Sequence, residues 1–160
     1  MTREKRGMDF VRNKIKGKIA EIIFQHMLAE NDFATIIPFG YEHSAPMLAQ
    51  YQHLLESSDD IADIRDTPDF LIMKPDHKQA VLTEVKYRKH KEPAQVQRIA
   101  TKIDRHWKSA WLFLATCDGF FFAPCSVILA QHGDIPRLPV QWIPQDIQDK
   151  YFQLLLEFER

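Results

Sequence analysis

The chain has 160 residues, 45% hydrophobic and 11% aromatic, with five glycines against nine prolines, a composition that fits one folded domain over 1–160 and excludes disordered, collagenous and solenoid chains. No apolar run approaches the roughly 18 residues of a membrane span, and the charged start 1–18 has no apolar segment behind it, so neither anchor nor signal peptide is expected and the protein reads as cytoplasmic. The net charge of −1 conceals segregation: residues 1–18 hold seven basic and two acidic side chains, 19–83 three and eleven, 84–108 eight and three, and 109–160 three and six. Two basic blocks flanking an acidic middle can set a phosphate-attracting surface beside carboxylates, although solvated helix faces have the same composition.

In chain order, Met8, Val11, Ile15, Ile19, Ile22, Ile23 and Met27 recur at steps of three and four, which predicts an amphipathic helix over 8–27 with one buried stripe. Residues 33–39, rich in β-branched and aromatic side chains and closed by Pro38 and Gly40, predict a first strand. A helical piece over 46–56 and an acidic polar loop over 57–67 follow. Residues 70–73 and 80–87 are strand-like runs around the turn-rich 74–79, a hairpin. Pro93 opens a helix whose Val96, Ile99, Ala100, Ile103 and Trp107 face the core, with Arg98, Lys102 and Arg105 outside.

Residues 111–115 read as a buried strand, turned at Asp118-Gly119 into Phe120-Phe121-Phe122. Residues 126–130 read as one more strand, and a proline-spaced connector leads to a closing helix over 146–158. The fold class is α/β in the α+β sense: a mixed sheet with helices packed on it, ending in a hairpin partner and a helix. Trp107, Trp111 and the triple phenylalanine read as core, not as base-stacking platforms. The segment 142–158 is apolar enough for a homodimer interface, but is taken as the last layer of the core. Cys117 and Cys125 lack metal spacing and read as free thiols, and the seven histidines form no ligand pattern.

The chemistry concentrates in the hairpin. If it closes symmetrically about Asp76 and His77, Asp69 falls opposite Glu84, with Cβ atoms ~5 Å apart, and Lys86 shares their face because the side-chain period of a strand is two. Two carboxylates held that close repel unless a cation or a proton lies between them, which suits Mg²⁺ or Mn²⁺, ions that need few protein carboxylates. The Lys86 ammonium could orient or help deprotonate an attacking water, or offset charge on the transition state.

Pro68-Asp69, fourteen intervening residues, then Glu84-Val85-Lys86 resembles the signature of the PD-(D/E)xK nuclease superfamily. Asp76-His77-Lys78 also satisfies the bare pattern but lies in the turn, whereas Glu84 to Lys86 end a hydrophobic strand that a helix follows. The resemblance covers about residues 8–115 and implies a restriction-endonuclease-like αβββαβ core; Tyr87 and Arg88 are similar to the Holliday-junction-resolvase branch. It implies a divalent-metal-dependent nuclease that hydrolyses phosphodiesters, in DNA rather than RNA, by in-line attack of water. Asp69 and Glu84 would be metal ligands, the Val85 carbonyl a third, and Lys86 the water-orienting and charge-stabilising group.

Glu21, on the first helix one turn beyond Gly17, would be an outer or second-metal ligand. Arg88, Lys89, Lys91, Arg98 and Lys102 are the phosphate-contact candidates, and the resemblance implies a substrate-facing role for Gln95 and Gln97, which read equally well as solvated helix residues. Bland alternatives exist for each: an exposed Glu21, a surface Glu84–Lys86 pair, an Asp69 that caps the hairpin. Two rival functions stand beside the nuclease: a catalytically inactive module of the same fold that binds nucleic acid or a protein, and an enzyme acting on another phosphate ester.

Overall fold

The structure, a computed structural model, describes residues 3–30, 34–40, 67–74 and 79–160. The helical piece expected over 46–56, the acidic loop up to residue 66 and the hairpin turn 75–78 lie outside the described residues. Among the described residues the order is α1 (Arg3–Glu30), β1 (Thr35–Pro38), β2 (Phe70–Met73), β3 (Ala80–Tyr87), α2 (Pro93–His106), β4 (Trp111–Thr116), β5 (Gly119–Pro124), α3 (Cys125–Ala130) and α4 (Gln145–Glu157). None of the helices described is long and apolar enough to cross a membrane.

The strands form one mixed sheet in the order β1-β2-β3-β4-β5. β1, β2 and β3 meander antiparallel, β3 and β4 run parallel, and β5 returns antiparallel to β4. The parallel pair needs a long crossover, which α2 supplies. Pro93 sits in its first turn, where a missing N–H costs nothing, and Val96, Ala100 and Ile103 turn to the core while Arg98, Lys102 and Arg105 stay exposed, as their spacing predicts.

Helices cover both faces of the sheet. On one, Phe24 and Met27 of α1 and Leu155 of α4 pack with Val85, Phe113 and Phe122; on the other, Val96 of α2 and Ile128 of α3 pack with Leu112, Leu114 and Phe121. Consecutive residues of β4 therefore face different cores, which is why this strand reads as an unbroken apolar run and not an alternating one. Trp142, Ile143 and Leu155 are buried in the first core, so the C-terminal segment is its last layer; Glu30 accepts hydrogen bonds from Lys150 Nζ and Tyr151 Oη, both at 2.7 Å, and ties α4 to the end of α1. Phe120, Phe121 and Phe122 are core residues, and Cys117 and Cys125 are free thiols. Burial in apolar surroundings pushes the Cys125 thiol up to about 12, so it is inert.

Two expectations need correction. Residues 126–130 are not a strand but the core of α3: a short apolar run carries no period of its own, and here Cys125 and Ile128, three residues apart, turn inward while Val127 stays exposed. Gly133 ends the turn after α3 at φ +90, with its N–H donated to the Ile128 carbonyl. A Cβ there would lie 2.0 Å from the Pro93 carbonyl oxygen, in a backbone conformation that favours glycine. Gly133→Ala should therefore cost on the order of 3 kcal/mol. The midpoint of urea unfolding at unchanged slope measures it, and a loss under about 1 kcal/mol would mean the α2–α3 contact yields freely.

The second correction concerns α1. Its stripe is buried only in its second half, where Ala20, Ile23, Phe24, Met27 and Leu28 meet the sheet, whereas Met8, Val11 and Ile15 of the first half are exposed, and Ile22 falls off the buried face and is exposed as well. A period of 3.6 predicts a helix but not how much of its length lies over the sheet.

Candidate active site

Asp69 stands where β1, β2 and β3 meet. Its carbonyl accepts hydrogen bonds from the N–H groups of Phe39 and Gly40, at 2.8 and 3.2 Å, fixing the residue at the end of β1. The β2–β3 ladder pairs Phe70 with Thr83, Leu71 with Leu82, Ile72 with Val81 and Met73 with Ala80. This is the register symmetry predicts, and one step further along it Asp69 falls opposite Glu84. There the ladder stops, and the next β3 donor on that edge, the Val85 N–H, is taken by the Asp69 side chain at Oδ2, 2.8 Å. The N–H and C=O of a strand residue leave on the same side, so the Val85 carbonyl faces Asp69 too. Arg88, three residues on, donates its N–H to Ala115 of β4 on the opposite edge, as the alternation requires.

Glu84 and Lys86 share the other parity of β3, half-buried while Val81, Thr83, Val85 and Tyr87 are buried. Lys86 Nζ lies 2.6 Å from Glu84 Oε1, and the Glu84 side chain keeps only 14% of its exposure. Burial, and then the charge of Glu84, push the Asp69 carboxyl up to about 8; the Val85 N–H pulls the other way, and the charge of Glu21 adds to the rise. Burial also opposes the charge on Lys86, but the charge and hydrogen bond of Glu84 together with Asp69 outweigh it and hold the ammonium above its ordinary value.

The expected group therefore converges: Asp69, Glu84, Val85 and Lys86 share one end of the hairpin, and Glu21 of α1 is near enough to act on Asp69. Glu21 is also held by Lys18, whose Nζ lies 2.8 Å from Oε2. No three His, Cys, Asp or Glu side chains among the described residues form a ready-made metal cage. The donors on offer are two carboxylates and a backbone carbonyl, a set suited to a hard divalent cation that keeps waters of its own. Burial, and then the charge of Glu84, drive the Asp69 carboxyl toward its neutral form, and a bound cation would offset both by compensating the two carboxylates.

Of this group Glu21, Val85 and Lys86 line a cleft of about 480 Å³, together with Gly17 of α1 and with Arg88 and Gln95 beyond β3, while Asp69 opens with Glu21 on a smaller cavity of about 90 Å³. Lys89 lines the larger cleft as well. Arg88 also donates from Nη1 to the Tyr87 carbonyl at 2.6 Å. The other basic candidates lie elsewhere. Lys91 turns away, its Nζ 3.2 Å from Asp134 Oδ1 and 4.9 Å from the centre of the Phe121 ring, and Arg98 and Lys102 sit on the exposed face of α2.

The cleft also holds two residues of α1 that were not anticipated, Asn13 and Lys16. Lys16 Nζ pairs with Glu159 Oε1 at 2.7 Å, and Glu159 accepts the Tyr87 hydroxyl, so a residue beyond α4 fixes a cation at the cleft edge. The only sequence signal for Lys16 is the charge of the 1–18 block, which marks a basic segment without saying which member faces the hairpin.

Compared with protein-family models, with curated proteins and with solved structures, the chain finds no match.

Proposed function

We propose that the protein is a divalent-metal-dependent nuclease of the PD-(D/E)xK type, with the restriction-endonuclease-like fold, acting on phosphodiester bonds and on DNA in preference to RNA. The observation that carries this reading is the capture of the Val85 N–H by Asp69 where the β2–β3 ladder ends, which joins Asp69, Glu84 and Lys86 beside a cleft edged by Lys16, Arg88 and Lys89. Asp69, Glu84 and the Val85 carbonyl are the residues that would hold Mg²⁺ or Mn²⁺, with Glu21 as an outer ligand. When bound, the cation supplies Lewis-acid polarisation of the phosphoryl oxygen and eases ionisation of a water.

The protein's own groups supply the rest. The ring of cations attracts and orients the phosphate backbone. Lys86, held charged by Glu84 and Asp69, has no free lone pair, so it serves as a hydrogen-bond donor to the attacking water and the developing phosphorane oxygens and not as the base. Gln95 offers amide donors to the substrate from the start of α2.

The test is cleavage of linear, nicked, branched and single-stranded DNA, and of RNA, with Mg²⁺ or Mn²⁺, by wild type beside Asp69→Ala and Glu84→Ala. Wild-type cleavage lost in both variants is the expected result. No cleavage of any substrate, with no metal binding by calorimetry, overturns the enzyme reading in favour of a non-catalytic module.

A further inference from the structure

A second groove, of about 530 Å³, opens on the same side of the protein and shares two residues, Lys16 and Lys89, with the candidate active cleft. Its floor is unlike that of the cleft. Met8, Val11 and Ile15 of α1 line it together with Phe158 beyond α4, and all four are exposed, Met8 by 64% and Phe158 by 53%. Its rim is cationic: the side chains of Arg12, Lys16, Lys89 and Arg160, with Glu159 the one acidic side chain of the lining, already engaged by Lys16 and Tyr87.

An apolar floor under a basic rim, continuous with a site for phosphodiesters, meets both halves of an unpaired nucleotide. The rim suits the phosphates and the floor the faces of bases no longer stacked in a duplex. Within a duplex the base faces are stacked on one another, so its flank would offer that floor sugars, phosphates and base edges, polar groups that gain little from covering Met8 or Phe158.

We propose that this groove is a binding subsite for a single-stranded segment of nucleic acid continuous with the strand in the active cleft, so that the preferred substrate carries an unpaired extension or flap. The inference deepens the nuclease reading and rests on it for the identity of the cleft. The bases lie on Ile15 and Phe158, and Arg12 and Lys89 follow the backbone. Arg12 is on the part of α1 that does not cover the sheet, which gives that overhanging half of the helix a role that packing does not.

The experiment measures binding by full-length protein, in chelator and without metal, of a labelled blunt duplex and of the same duplex with a short single-stranded extension. The extension should tighten binding about tenfold. Phe158→Ala and Ile15→Ser should each reduce that ratio several-fold, and Arg12→Glu should abolish it. These side chains are exposed, so thermal melts of the variants are expected to match wild type. Equal affinity for the two probes, or a ratio unchanged in the variants, overturns the inference. A wild-type dimer in light scattering that Phe158→Ala converts to monomer also overturns it, by giving the groove to a second copy of the chain. Failure here is separable from failure of the nuclease reading, because cleavage lost in Asp69→Ala does not depend on the extension.

Discussion

Lys86→Ala should lower cleavage by at least about a hundredfold through kcat, with KM nearly unchanged, because an ammonium aimed at developing negative charge is worth more in the transition state than in the ground state. Its place beside Glu84, at 2.6 Å, complicates a simple deletion, since removing it leaves that enclosed carboxylate without its cation next to Asp69. A divalent ion can replace the ammonium as counter-charge. The variant should therefore melt below wild type in chelator and close to it in Mg²⁺, while calorimetry still detects metal binding. Lys86→Met, which keeps the apolar stem, should be as inactive as the alanine variant, which separates charge from packing. Undiminished cleavage in either variant removes Lys86 from the mechanism.

The core of this site was legible in the sequence because local rules happen to determine it. The period of two in 80–87, the turn-rich 74–79 and the apolar 70–73 leave the hairpin one register that buries Phe70, Ile72 and Val81, and that register alone sets Asp69 against Glu84. What the sequence did not hold is what decides between equally periodic alternatives. The run 126–130 suits a strand or a helix, and only the packing of Cys125 and Ile128 on α2 and the sheet selects α3. The stripe of α1 predicted burial for Met8, Val11 and Ile15, but a helix longer than the sheet is wide leaves one end uncovered.

Charge behaved the same way. Arg88, Lys89 and Lys91 are neighbours in sequence, yet Arg88 and Lys89 line the cleft and Lys91 goes to Asp134 and Phe121. Lys16 joins the cleft from α1, placed by a pair with Glu159 that no local pattern announces. A strand or helix period assigns a face; long-range partners assign the individual cation.

Asp69→Asn should make the metal-free protein more stable while abolishing cleavage, an outcome opposite in sign to most substitutions of a half-buried polar residue. The Asp69 carboxyl, ordinarily near 3.8, is pushed to about 8 by burial and by Glu84. Between those values the folded protein holds a proton that the unfolded chain has released, so stability falls by about 1.4 kcal/mol for each pH unit of rise. The stability of neutral Asp69 is thus fully present below the unfolded carboxyl's pH and lost as pH passes through about 8.

Asparagine keeps an oxygen that can accept from the Val85 N–H and loses the ionisation, so near neutral pH the variant should exceed wild type by on the order of a few kcal/mol, a gap that closes as pH falls toward 3.8. Saturating Mg²⁺ should raise the wild-type melting temperature by compensating the same charge, and should do little for Asp69→Asn. Chemical denaturation across that pH range, with and without Mg²⁺, reads both effects. A variant less stable than wild type at every pH, or a gap that does not change with pH, would mean that Asp69 is held for structure and that the pair of carboxylates carries no surplus charge for a metal to relieve.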